Sequence, residues 1–334
     1  MKHRTSQIIY LFTVFSALVH IGPIKAENPI VLHFAGDVTL ANHFERFVDD
    51  DYDYPFRKFK WFADADISMI NLENPLTLNG SPREKLFNFK ALPQYVKTLK
   101  AGGVDIVTLA NNHIYDFSEL GLRNTLTALD EVNIKYVGAG RNLKEARKPV
   151  IFTIDGIHIA YLAYYGLGKH SNSQPAETYA SGTAMRSLQF IREDIRSLRK
   201  NVDFIIINFH WGLEKQNIPQ ESQIWFAHQV IDYGADLIIG HHPHVLQGIE
   251  LYNNRIIAYS LGNFIFGGNS RTYEETAVLS IKIDPQQIIP YQTEVQPVIV
   301  DHWQPRKADE HATVQVMDSL RTYSSVFAQS IFEN

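Results

Sequence analysis

Cysteine is absent from the 334 residues. That excludes disulfides, thiolate metal sites, a cysteine nucleophile and lipidation of an N-terminal cysteine. Basic charge is also short: 31 Lys and Arg stand against 36 Asp and Glu, a net charge of −5. A nucleic-acid binder carries a basic domain or stripe, so nucleic acid is excluded as a partner. Internal repeats and low-complexity linkers are missing. Long apolar runs are missing too, with one exception at the start. Lys2, His3 and Arg4 precede a largely apolar Ile8 to Ile21, and Ala26 offers a small residue at a cut before Glu27. The run is short for a spanning helix, which needs about 20 residues. Residues 1–26 therefore read as a secretory signal peptide, with an uncleaved N-terminal anchor as the alternative. Either reading puts the mature chain outside the cytoplasm, as an exported protein.

The whole chain is 45% hydrophobic, enough for a sizeable core. Its recurring unit is an apolar strand, a polar loop and an amphipathic helix. Strands are expected at Ile30 to Ala35, Ile67 to Asn71, Asp105 to Ala110, Phe204 to Asn208 and Leu237 to Ile239. Helices are expected at Pro93 to Ala101, from a Ser118 cap to Val132, at Leu188 to Leu198 and at Glu221 to Tyr233. Asp155-Gly156 between Val150 to Ile154 and Ile157 to Tyr164 is a two-residue hairpin signal. Asn253-Asn254 marks a second hairpin. Gly166 to Gly182 reads as an irregular loop, and Thr276 to Ile283 and Val295 to Val300 as later strands. Alternating strands and helices give βαβ units, and the hairpins add antiparallel strands. The expected architecture is α/β, two sheets with helices outside. The division is 1–26 signal, 27–300 one domain and 301–334 a C-terminal tail.

The densest chemistry lies at Leu-Ile-Ile-Gly-His-His-Pro-His, residues 237–244. A strand stops at Gly240 and releases His241, His242 and His244 beside a stiff Pro243. Four more strands end the same way, in Asp37, Glu73, Asn112 with His113, and His210. Sites in α/β folds lie beyond the carboxyl ends of strands. A single carboxylate there is ordinary turn chemistry. Five such ends are not explained by packing. Oxygen and imidazole without sulfur suit Mn, Fe or Zn. The donors outnumber the needs of one tetrahedral ion, so one or two divalent ions are expected.

The order of these stations resembles the calcineurin-like metallophosphatase superfamily, and more closely the bacterial CapA (PgsA) family of capsule synthesis proteins, linked to poly-γ-glutamate. The segments that carry the resemblance are Gly-Asp-Val-Thr-Leu, Asn-Leu-Glu-Asn-Pro-Leu, Leu-Ala-Asn-Asn-His-Ile-Tyr-Asp, His-Trp-Gly-Leu-Glu, Gly-His-His-Pro-His-Val-Leu-Gln and Tyr-Ser-Leu-Gly-Asn-Phe-Ile-Phe, between about residues 30 and 267. The resemblance implies a metallophosphatase-like two-sheet sandwich flanked by helices (αββα). It implies that Asp37 and His244 hold one ion, that Asn112, His210 and His242 hold the other, and that Glu73 bridges. His113 would act on substrate as general acid or charge stabiliser, oriented by Asp116. His241, where the superfamily has Gly, is expected either to support a ligand from behind or to be structural. Thr39 stands where the superfamily has His, and Glu73 where it has Asp. Glu214 is expected behind His210, Asn263 at the cleft or in a turn, and Tyr52, Tyr54 and Phe56 in the core. Lys90 and Arg186 are read as solvated.

Two functions follow from that resemblance. One is a metal-dependent hydrolase acting on a phosphoester or a γ-glutamyl polymer at the cell envelope. The other is a non-catalytic, metal-dependent factor that binds, exports or anchors an anionic capsular polymer. Membrane-bound capsule-synthesis proteins would be partners in either case.

Overall fold

The computed structural model describes residues 28–167, 174–267 and 275–333. The expected signal peptide lies outside the described residues, as does part of the Gly166 to Gly182 loop. Among the described residues no helix is long and apolar enough to cross a membrane.

The chain opens with β1 (Ile30–Val38), a short α1 (Glu45–Val48), β2 (Ile67–Leu72), α2 (Val96–Ala101), β3 (Ile106–Thr108), α3 (Ser118–Glu131) and β4 (Lys135–Val137). These four strands run parallel. A two-residue β5 (Ala139–Gly140) and α4 (Leu143–Ala146) lead into β6 (Val150–Ile154) and β7 (Ile157–Tyr165). Asp155 and Gly156 both have positive φ, 47° and 82°. Such a turn matches strand twist, so the pair folds back as the expected hairpin. Next come β8 (Gly182–Thr183), α5 (Leu188–Leu198), β9 (Phe204–His210), α6 (Glu221–Asp232) and β10 (Leu237–His241). Ser187 caps α5 by accepting a hydrogen bond from the Phe190 amide. The second hairpin is β11 (Ile249–Tyr252) with β12 (Arg255–Ala258), and β13 (Asn263–Ile265), β14 (Glu275–Asp284) and β15 (Gln287–Asp301) follow.

One sheet has the order β15-β14-β1-β2-β3-β4, with β13 also paired to β1; the other runs β11-β12-β10-β9-β7-β6. Alternation along the strands sorts residues into three layers. Leu32, Phe34, Met69 and Ile106 meet Ile159, Tyr161, Ile206 and Ile239 between the sheets. Ile70, Leu72 and Val107 face outward onto Leu99, Leu122, Leu126 and Leu129 of α2 and α3. Ile205, Ile207 and Ile238 face the other way onto Ile191, Ile195, Ala227 and Val230 of α5 and α6. The architecture is the expected α/β sandwich. Phe56 is buried core, stacked on Phe62 and edge-on to Phe264, and Tyr52 and Tyr54 pack against the same cluster.

Two expectations are corrected. Residues 301–334 are not a bare tail: β16 (Gln304–Lys307) extends the first sheet beside β15, and α7 (Glu310–Ser324) buries Val316 and Leu320 against Leu246 and Ala277. An Asp309 cap accepting from the Ala312 amide starts that helix. Ser118 does not cap α3. It is the first helical residue, with φ 62°, and its hydroxyl donates to the Ser81 carbonyl.

Candidate metal centre

The carboxyl ends of β1, β2, β3, β9 and β10 converge, and two glycines let them do so. A Cβ on Gly36 would stand 1.9 Å from the Gly262 carbonyl oxygen, and one on Gly240 would stand 1.9 Å from the Tyr259 oxygen. Only hydrogen fits at either place. Gly36 brings β1 against the Gly262 turn, so that Asp37 registers with Asn263. Gly240 lets β10 pass the Tyr259 backbone before it releases the His-rich loop.

Asp37 is fully buried and held from several sides. Asn71 Nδ2 donates to its Oδ1 at 2.7 Å, and the His242 amide donates to Oδ2 at 3.2 Å. His244 Nδ1 lies 3.2 Å from Oδ2, and His241 Nδ1 lies 3.6 Å from Oδ1. Burial pushes the Asp37 pKa up, but His244, His241 and Asn71 hold it below the ordinary carboxylate value. Burial opposes charge on His244 as well, yet Glu73 and Asp37 push its pKa up to about 10.

Glu73 is the exception. It is fully buried, and neither carboxylate oxygen receives a hydrogen bond. Burial raises its pKa well above the ordinary value, despite His244 nearby. Its nearest partners are imidazoles: His210 Nε2 at 3.5 Å and His244 Nε2 at 3.8 Å from Oε1. Glu73, His242 and His244 each offer a donor atom within 4.8 Å of the others. His242 and His244, expected on different ions, are thus close enough to serve one. A buried carboxylate without a donor costs several kcal/mol unless a cation meets it. These residues fit a divalent ion, with oxygen and imidazole donors facing a common point.

His210 Nε2 and Asn112 Oδ1 are 2.8 Å apart, so these two expected co-ligands already touch. Burial, then the neighbouring histidines, drives the His210 pKa well below its ordinary value and keeps the ring neutral, the form that binds metal. Asn111 builds the turn that presents them. Its Oδ1 accepts from the His113 and Ile114 amides, and its Nδ2 donates to Asn71 Oδ1 and the Leu72 carbonyl. His242 and His244 both have positive φ, 98° and 57°. Such backbone costs on the order of 1–3 kcal/mol each for a non-glycine residue and clusters at functional sites.

His113 Nδ1 lies 2.8 Å from Asp116 Oδ2. Burial lowers its pKa against the pull of Asp116. Asn263 Oδ1 reaches His244 Nδ1 at 2.9 Å, which settles its place in the cleft. His241 is buried with no hydrogen bond at either nitrogen, and burial lowers its pKa to about 4. Thr39 is buried and its hydroxyl accepts from the Ala41 amide. Glu214 is not placed behind His210: it is exposed, and its charge acts on Glu73 and His244.

Three participants were not singled out in the sequence. Lys85 pairs with Asp116, Phe89 stacks on His113 with centroids 4.2 Å apart, and Phe266 packs beside His244 at 5.0 Å. Lys85 and Phe89 sit in an irregular loop, where sequence offers no periodicity to mark them. Phe266 ends the Asn-Phe-Ile-Phe segment, which was a signal for the region but not for the ring.

A family model described as bacterial capsule synthesis protein PGA_cap matches residues 31–268. The chain is 32% identical to a capsule biosynthesis protein CapA of Bacillus anthracis over 271 residues, covering 77% of this chain and 66% of that one. It is 31% identical to a PGA biosynthesis protein CapA of Bacillus subtilis (strain 168) over 292 residues, covering 83% of this chain and 76% of that one. Among solved structures, a calcineurin-like phosphoesterase YfkN from Bacillus subtilis aligns with a TM-score of 0.49 at 14% identity, over 88% of this chain and 98% of that one.

Proposed function

The chain belongs to the bacterial capsule synthesis protein family, and from that premise we propose that it is an exported, metal-dependent hydrolase acting on an anionic polymer, through either its γ-glutamyl amide or a phosphoester bond. The observation that carries this reading is Glu73: a buried carboxylate with no donor, ringed by imidazoles. Glu73, His242, His244, His210, Asn112 and Asp37 would hold one or two ions. When bound, a divalent ion supplies Lewis acidity, polarising a phosphoryl or acyl oxygen and lowering the pKa of water. Asn71 and the His242 amide keep Asp37 aimed at the centre. Asp116 keeps the His113 proton on Nδ1, which leaves the Nε2 lone pair to take a proton from the attacking water and pass it to the departing oxygen or nitrogen. Phe89 and Phe266 exclude water from one side of the two imidazoles.

The test is metal analysis of the purified chain, followed by turnover of phosphoesters and γ-glutamyl polymers by the loaded protein. We expect bound Mn, Fe or Zn, and hydrolysis that His113→Ala lowers by about 100-fold or more. Metal-loaded protein that cleaves neither bond class overturns the reading.

Thr39 favours a second function. With no imidazole at that station, the ion near Asp37 has fewer ligands, and the centre would hold an anionic polymer for export or anchoring by membrane capsule-synthesis proteins. Polymer binding that is lost on chelation, with no bond cleaved, supports this alternative.

A further inference from the structure

We propose that the 83–89 loop is a clasp that fixes the His113 ring, with Lys85 as its positioning residue; this rests on the reading of His113 as the proton-delivering group. The side chain of Lys85 is 5% exposed, an unusual depth for an ammonium group on a loop. Its Nζ donates to the Asn112 carbonyl at 2.9 Å, pairs with Asp116 Oδ1, and lies 3.3 Å from His113 Nδ1.

The loop reaches Asp116 at two further points. The Arg83 amide donates to the Asp116 carbonyl at 2.9 Å, and the Phe89 amide donates to Oδ2 at 2.6 Å. Asn88 Nδ2 ties the loop to itself through the Arg83 and Lys85 carbonyls. Phe89 then lies on the His113 ring, with the planes 24° apart.

Each contact restricts one freedom of the imidazole. Asp116 Oδ2 accepts from Nδ1. Lys85 holds the other carboxylate oxygen, so the carboxylate plane cannot rotate away. Lys85 also anchors the backbone carbonyl just before His113. Phe89 blocks rotation of the ring about its second torsion. The ammonium paired with Asp116 Oδ1 has a further effect. It keeps Asp116 an acceptor, and so holds the proton on Nδ1 and the lone pair on Nε2. Lys85 touches no proposed ligand side chain, so its removal is expected to alter His113 without emptying the centre.

The experiment uses the full chain, loaded with diamagnetic zinc and labelled with 15N histidine. His113→Gln identifies the His113 resonances. The wild type is expected to show a protonated Nδ1 and an unprotonated Nε2. In Lys85→Met the two shifts are expected to converge as the tautomers mix, and Lys85→Arg is expected to restore them. With a chromogenic phosphodiester, kcat is expected to fall by about 10- to 100-fold in Lys85→Met, with KM within about twofold and zinc content unchanged. Should the methionine variant not fold, Lys85→Gln is read by the same measures. Unchanged His113 shifts in a folded, zinc-loaded Lys85 variant overturn the clasp. If the wild type turns over no substrate, or His113→Gln retains full turnover, the hydrolase reading fails, and the tautomer measurement still decides the clasp.

Discussion

Two buried carboxylates, one at the amino end of a strand in the second sheet and one at the carboxyl end of a strand in the first, meet opposite fates. Asp236 precedes β10 at its amino end. Its Oδ2 accepts from the Ile205 amide at 2.9 Å and pairs with Arg199, and its Oδ1 accepts from Arg255 Nε at 3.1 Å. Tyr291 donates to its carbonyl at 2.7 Å. Each of its oxygens has a fixed donor. Glu73 lies at the carboxyl end, equally buried, with none. Burial alone therefore does not mark a functional acid. A structural carboxylate is completed by the chain's own donors, and a site carboxylate is left for something that arrives.

That contrast breaks most visibly in stability. Asp236→Ala strands two guanidinium groups and a buried amide, and should cost on the order of 3 kcal/mol in urea unfolding. Glu73→Gln removes a buried carboxyl group whose oxygens receive no hydrogen bond, so the metal-free chain should be as stable as the parent or more so. Its metal affinity, read by calorimetry, should fall by about 100-fold or more. Equal destabilisation by both substitutions would erase the distinction.

A smaller effect lies in pH. His244 is held protonated in the metal-free fold, with its pKa raised from 6.5 to about 10. A raised folded-state pKa contributes stability that is complete below the unfolded value and lost as pH rises through the folded one. The metal-free chain should thus lose stability between pH 6.5 and about 10, and His244→Gln should flatten that slope. Loaded protein should not show this decline, because metal ligation needs the deprotonated ring. Urea midpoints across that range, with and without chelator, check both statements.

The smallest effect belongs to a residue at neither end. Ser118→Ala should change stability by less than about 0.5 kcal/mol, since its hydroxyl caps no helix. A loss near 1 kcal/mol would restore the capping role the sequence suggested.

The stations of the centre were legible because each is local: a buried strand, then a glycine or asparagine turn, then a donor. The hairpin at Asp155-Gly156 and the bounds of α5 were legible for the same reason. What escaped depends on distant partners. β13 is three residues long and exists as a strand because Gly36 lets it lie against β1. β16 is an edge strand that only β15 specifies. Lys85 looks like any loop lysine until Asp116 is beside it. His241 differs from its neighbours only in where the strand register points it. The Asp309 cap of α7 was readable, but a region without chemistry drew no attention to it.

β1 sits in the interior of its sheet, with β2 on one side and β14 on the other. Its residues Ile30 to Phe34 pair with Leu279 to Ile283, some 250 positions later, and Asp37 pairs with Asn263. The first carboxylate of the centre is therefore locked by a segment from far along the chain. Contacts between such distant segments form slowly, because loop closure must precede them. Partial chains that stop before β14 leave one edge of β1 open, a row of unpaired amides and carbonyls ready to recruit another strand. Completion of the metal-binding basin and closure of that exposed edge both wait on pairing with distant segments of the chain, so the centre and the protected edge are built by the same long-range contacts.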